Sequence, residues 1–260
     1  MNPLAGAYLF LLGLASGAAL LTVSAFRRVS PPWLKALLTA GSFFVIGRYV
    51  TLALFATAGS PERVWGWRHC WFATSLVLPL QSAFAVDQLL RHPAMSSKKL
   101  LGWLAPFLIA YSAVILFADA EPVPDRVVGW SLRLAPAWRA ALALTHGLFV
   151  VGFLGVCVLL MRKIPLRPIR IALLGLAAGQ VCLALDGLLL ALGAWYFRPY
   201  LYSELLMLLA LWHAYETGAT LQGGEPAVGG ASIGRVTRSD TVDAGGRSLM
   251  NRTGSPSSVI

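Results

Sequence analysis

The feature that most constrains this chain is a succession of apolar blocks, each near the roughly 20 residues an α-helix needs to cross a hydrocarbon core of about 30 Å. A segment in lipid must satisfy its own backbone N–H and C=O groups, so such blocks are read as helices. Seven qualify: Leu4–Phe26, Leu34–Ala58, Cys70–Leu90, Leu100–Phe117, Ala137–Met161, Ile171–Gly193 and Tyr200–Tyr215. Composition agrees. Hydrophobic residues are 57% of the chain and charged residues 12%, against about 25% charged in soluble domains, and the mean hydropathy is +0.70. The expected fold is all-α, a seven-transmembrane-helix bundle over residues 1–220. Residues 221–260 are rich in Gly, Ser and Thr and lack aromatic residues. A segment of that kind buries too little surface to offset its ordering entropy, so a disordered tail is expected there.

Charge in the connections sets the expected orientation. The first, third and fifth loops carry Arg27, Arg28 and Lys35; Arg91, Lys98 and Lys99; and Arg162, Lys163, Arg167 and Arg170, with no acidic residue. The other connections and helix ends mix Arg63, Arg68, Arg126, Arg133, Arg139 and Arg198 with Glu62, Asp119, Glu121 and Asp125. The positive-inside rule then places the N-terminus outside and the C-terminus in the cytoplasm. Trp65, Trp67, Trp130, Trp138 and the run 194–202 fall at the outer ends, where aromatic rings anchor at the headgroups. Topology accounts for most of the net charge of +10, and no nucleic-acid partner is expected. The N-terminus has no Lys or Arg ahead of its apolar run, which points to a retained first helix, not a cleaved signal. Compact loops and the lack of sorting signals favour the inner (cytoplasmic) membrane of a bacterium.

Ionisable side chains at membrane depth carry the chemistry. An Arg or Asp at mid-helix costs roughly 2.5–3.5 kcal/mol on insertion scales, so it needs a partner or a wet cavity. At 1.5 Å per residue, Arg48 in helix two, Asp186 in helix six and Glu204 in helix seven reach a similar outer level, with His146 of helix five and Gln180 as candidate neighbours. These five form the candidate ligand-binding or polar cluster; a salt bridge that merely fixes helix packing is the competing reading. A second group lies toward the other end. Asp87 and Arg91 are one turn apart, and His213 and Glu216 share a face of helix seven. They are a candidate latch between helices three and seven, against ordinary interfacial ion pairing. Helices three and six also share a spaced pair, Gln81–Asp87 in QSAFAVD and Gln180–Asp186 in QVCLALD. An inverted repeat of the transporter kind would place them so, as would chance. Pro79 in helix three and Pro106 in helix four interrupt backbone bonding and permit kinks.

Several chemistries lack their residues. All four lysines (Lys35, Lys98, Lys99, Lys163) lie at helix boundaries and none lies in helix seven, which excludes covalently bound retinal. His146 and His213 fall at different depths, against a bis-histidine haem. Cys70, Cys157 and Cys182 form no CxxC, and there is no HExxH, so no metal site is expected. No Walker loop, GxGxxG or DxxxD is present. No cofactor is identified.

The layout resembles the seven-helix membrane sensor modules of bacterial signalling proteins. The resemblance is carried by LLTAGSFFVIGRYV (Leu37–Val50) after a basic loop, LVLPLQSAFAVDQLL (Leu76–Leu90) with its proline, and helices five and six joined by RKIPLRPIR. It covers about residues 1–220. It implies a receptor-like protein that binds a small or lipophilic ligand among membrane lipids. With no kinase or cyclase after helix seven, the signal would pass to a separate partner. The expected function is accordingly sensory and non-enzymatic. A non-catalytic subunit of a membrane complex is the alternative, followed by a transporter or a lipid-modifying enzyme.

Overall fold

The computed structural model describes residues 3–90, 96–125, 129–191 and 200–223, and these are mostly helical. Seven α-helices follow one another: α1 (Pro3–Ala25), α2 (Pro32–Thr57), α3 (Ala73–Leu90), α4 (Ser97–Phe117), α5 (Pro136–Lys163), α6 (Arg167–Ala191) and α7 (Leu201–Gly223). Six helical segments are long and apolar enough to cross a membrane, the architecture of a multi-pass membrane protein. The exception is α7, whose Glu204, His213 and Glu216 lower its apolarity. Helix starts follow local chemistry. Prolines open α2 and α5, where the missing N–H has no intrahelical partner to lose. Ser96 caps α4, its side chain accepting from the Lys99 N–H at 3.3 Å. Hydroxyls within the apolar helices bond back to the preceding turn, as Ser16 does to the Leu12 carbonyl at 2.9 Å.

Chain order is also packing order. α1 packs on α2, α2 on α3, α3 on α4, α4 on α5, α5 on α6 and α6 on α7, and α7 closes back onto α1. α3 reaches inward to pack against α7 as well. The most polar helix is therefore shielded by α1, α3 and α6. Polarity runs opposite to that of a soluble protein. Arg48, Gln81, Gln180, Asp186 and Glu204 are buried, while Phe10, Trp103, Ile109, Phe117, Leu144 and Val151 stand exposed. Such a surface would drive aggregation in water and is the ordinary surface in lipid.

Two expectations are corrected. The chain is not all-α: Ala120–Pro124 (β1) pairs antiparallel with Trp130–Leu134 (β2), in register Ala120↔Leu134 through Pro124↔Trp130. Helix three begins within a few residues of its expected start. Residues Pro61–Phe72 form 3-10 turns, and the α-helix starts at Ala73. Helix seven continues eight residues past Tyr215, to Gly223, because Thr217, Gly218 and Ala219 are buried against the bundle. The remaining ends lie within a few residues of expectation. The tail expected to be disordered lies outside the described residues, apart from its first three, which belong to α7.

The hairpin and the 3-10 turns build a second small core over one end of the bundle, from Phe55, Val64 and Leu132 with Trp71 and Trp130 packed around them. Phe55 and Trp71 meet edge to face at 5.2 Å. Gly129 makes this closure possible. Its φ is +57°, and a Cβ there would lie 2.3 Å from the Phe55 carbonyl oxygen. His69 completes the join, its Nδ1–H donating to the Ile115 carbonyl in the last turn of α4 at 2.9 Å. The aromatic residues at this end thus pack on each other.

Candidate functional site

The first turn of α7 gathers the buried charges. Arg48 of α2 meets Glu204 two ways: Nη2 lies 2.8 Å from Oε1, and Nε donates to Oε2 at 3.3 Å. Thr74, in the first turn of α3, donates its hydroxyl to Oε1 at 2.8 Å. One carboxylate therefore ties three helices together. Arg48 is 8% exposed and Glu204 1%, so the pair is cut off from the surroundings and not open to either face. The Tyr49 hydroxyl, next along α2, is buried within electrostatic reach of both charges and close to the Glu204 carboxylate.

Asp186 of α6 joins the same turn from the other side. Its Oδ2 accepts from the Tyr200 backbone N–H at 3.0 Å and from the Ser203 hydroxyl. Tyr200 sits at φ +72°, immediately before α7, and its carbonyl accepts the first helical bond from the Glu204 N–H at 2.7 Å. Asp186 thus caps α7 from a neighbouring helix. A carboxylate at a helix N-terminus is favourable by about 0.3–1 kcal/mol, more when partly buried. The charge arrangement is balanced in kind: two carboxylates face one guanidinium and the positive end of α7.

Gln180 lies elsewhere. Its Nε2 donates to the Ser82 hydroxyl at 2.8 Å, and Ser82 donates onward to the Leu78 carbonyl. Because the serine proton is already committed, the amide NH2 must face Ser82, which leaves the Gln180 Oε1 buried and unpaired. Gln81 repeats this logic one residue earlier. Its Nε2 donates to the Leu38 carbonyl at 3.2 Å and the Ser42 hydroxyl at 2.9 Å, and its Oε1 is also unpaired. The two glutamines of the repeated motif therefore occupy one α2–α3–α6 polar layer. His146 is not bonded to the charges. Its Nδ1 pairs with the Tyr111 hydroxyl at 3.2 Å across α4 and α5.

At the opposite end Asp87, His213 and Glu216 of the candidate latch share no hydrogen bond or ion pair among the described residues. Asp87 accepts from the Ser97 hydroxyl at 3.1 Å, joining α3 to the start of α4. His213 is exposed and Glu216 half-buried, and neither has a hydrogen-bonded or ionic partner among the described residues. Arg91 lies outside the described residues. What links α3 to α7 there is the Tyr215 hydroxyl donating to the Gln81 carbonyl at 2.9 Å, with Gly218 packed near the Gln88 backbone. Phe26 backs Tyr215 edge to face at 4.8 Å.

Thr74, Ser203, Tyr200 and Tyr215 are the participants that sequence reasoning missed. Hydroxyls are common in apolar helices and carry no signature of their own. Ser203 alone had a signal, as a small polar residue beside Glu204 at the start of a helix. Among the described residues no group of three or more His, Cys, Asp or Glu could hold a metal ion. No family model, no curated protein and no solved structure matches this chain. The sensor-module resemblance thus rests on layout and gains no support from these comparisons.

Proposed function

We propose that this chain is a receptor-like or sensory multi-pass protein of a bacterial inner membrane, with its N-terminus outside and its C-terminus cytoplasmic. The buried Arg48–Glu204–Thr74 lock holds α2, α3 and α7 in one of two packings, and a small or lipophilic ligand, or a membrane state, biases the choice. The signal passes to a separate partner protein. One observation carries this reading: a fully buried, doubly bonded ion pair at the first turn of the helix that packs against three others. Packing alone does not require it, since apolar residues of similar volume often serve as well or better. A buried pair is a discrete element that is either made or broken, which is what a two-state bundle needs. Lysines confined to one set of helix ends support the orientation.

Native mass spectrometry of the full chain, extracted gently from its host, tests the reading. A stoichiometric small-molecule adduct that disappears in Glu204→Gln supports it; an adduct indifferent to Glu204→Gln sinks the role of the lock. The second reading is a non-catalytic subunit of a membrane complex. A protein partner at fixed stoichiometry, without a small molecule, would shift the assignment to that reading.

A further inference from the structure

The turn joining α5 to α6 has a feature unconnected to the lock. A recess of about 400 Å³ opens on the outside of the bundle between the end of α5 and the start of α6. Its wall is almost wholly apolar: Val158, Met161, Ile171 and Leu174 line it together with the aliphatic stems of Arg162, Arg167 and Arg170. All three arginines are exposed, and no carboxylate pairs with any of them among the described residues. Arg170 is held in place, its Nε donating to the Met161 carbonyl at 2.9 Å. Its remaining N–H groups carry the charge beyond that anchor. Positive charge here is uncompensated, since the first turn of α6 contains no acidic residue.

The order of the lining matters. Arg162 and Arg167 bracket the turn at the helix ends, where the headgroup region of a bilayer begins. Val158, Ile171 and Leu174 lie farther into the helices and are 42%, 49% and 59% exposed. A ligand filling this groove must therefore be apolar along the helices, and an anionic group on it would meet the exposed arginines at the turn. A guanidinium cluster recognises phosphate oxygens in particular, because its planar fork donates two parallel bonds. We infer that the α5–α6 turn is a binding site for one anionic phospholipid. Its phosphodiester contacts Arg162, Arg167 and Arg170, and an acyl chain lies along Val158, Ile171 and Leu174. The occupant is a lipid and not a free anion, because only a lipid covers the apolar part of the groove.

The test is titration of the full chain in a neutral detergent with phosphatidylglycerol or phosphatidylcholine, read by native mass spectrometry, with inorganic phosphate as a competitor. Phosphatidylglycerol is expected to bind in preference to phosphatidylcholine. Each arginine near a headgroup contributes about fivefold in affinity, so Arg162→Gln with Arg167→Gln should weaken phosphatidylglycerol on the order of 25-fold. Arg170 is left intact so that its bond to Met161 persists. Arg133→Gln with Arg139→Gln, exposed at the hairpin end, should leave binding unchanged. Arg162→Lys with Arg167→Lys should keep much of the preference and shows that the positions tolerate substitution. The inference is overturned by equal binding of the two lipids, by equal losses in the α5–α6 and hairpin-end variants, or by displacement of the lipid with equimolar inorganic phosphate.

Discussion

Replacing Arg48 with methionine would leave Glu204 buried with Thr74 and the nearby Tyr49 hydroxyl as its side-chain neighbours. At 2.8 Å and an effective dielectric near 20, the gross attraction lost is about 6 kcal/mol. Much of it was offsetting the desolvation of the two ions, which costs several kcal/mol each. Breaking one side of such a pair typically costs about 3–5 kcal/mol. The low end, about 3 kcal/mol, applies here, because Thr74 and the N-terminus of α7 still stabilise the carboxylate. Combining Arg48→Met with Glu204→Leu removes both charges and lets the Thr74 hydroxyl bond back to its own helix. The double variant should lose at least about 2 kcal/mol less than the sum of the single losses. Equilibrium unfolding in mixed micelles, followed by circular dichroism, measures all four members of the cycle. A loss under about 1 kcal/mol for Arg48→Met, or strictly additive singles, would refute the claim that these charges are coupled in a dry site.

Three further outcomes follow from the geometry. Asp186→Leu removes the cap of α7 and should cost about 1–2 kcal/mol, while Asp186→Asn keeps an acceptor and should cost less; hydrogen exchange confined to residues 201–206 checks both. Gly129→Ala carries roughly 1–2 kcal/mol of strain from its positive φ alone, and the clash of its Cβ with the Phe55 carbonyl oxygen at 2.3 Å adds to it, so limited proteolysis should cut the hairpin faster while α1–α7 stay protected. A Cβ at position 179 would sit 2.5 Å from the Met207 sulfur and 3.2 Å from its Cα. Gly179→Ala should therefore cost about 1–3 kcal/mol in thermal unfolding, and Met207→Ala should relieve only the part due to the sulfur.

The helices were legible because lipid imposes a length and a composition that few other environments demand. The polar charges were legible for the same reason: an Arg or Asp among leucines stands out, and its depth follows from counting residues. Depth is not direction, however. His146 has a depth like that of Arg48, yet it turns toward Tyr111 on α4, since rotation about a helix axis is set by packing that sequence spacing does not reveal. Asp87 likewise reaches Ser97 instead of the residues of α7 grouped with it. The hairpin escaped because Pro122, Pro124 and a mixture of charges read as loop, and its strands form only once Gly129 turns the chain back over Phe55. The end of α7 escaped because Thr217, Gly218 and Thr220 resemble a tail, while Thr217 and Gly218 are buried against the bundle.

The central claim is that the Arg48–Glu204 contact selects between two packings. Spin labels at Val50 on α2 and Tyr202 on α7, both exposed, report it by pulsed electron resonance in lipid nanodiscs, with the three native cysteines replaced. The account predicts one narrow distance distribution in the otherwise native protein and a second population once Arg48→Gln is introduced. A single, unchanged distribution in a folded Arg48→Gln protein would contradict it and leave the pair as a packing contact.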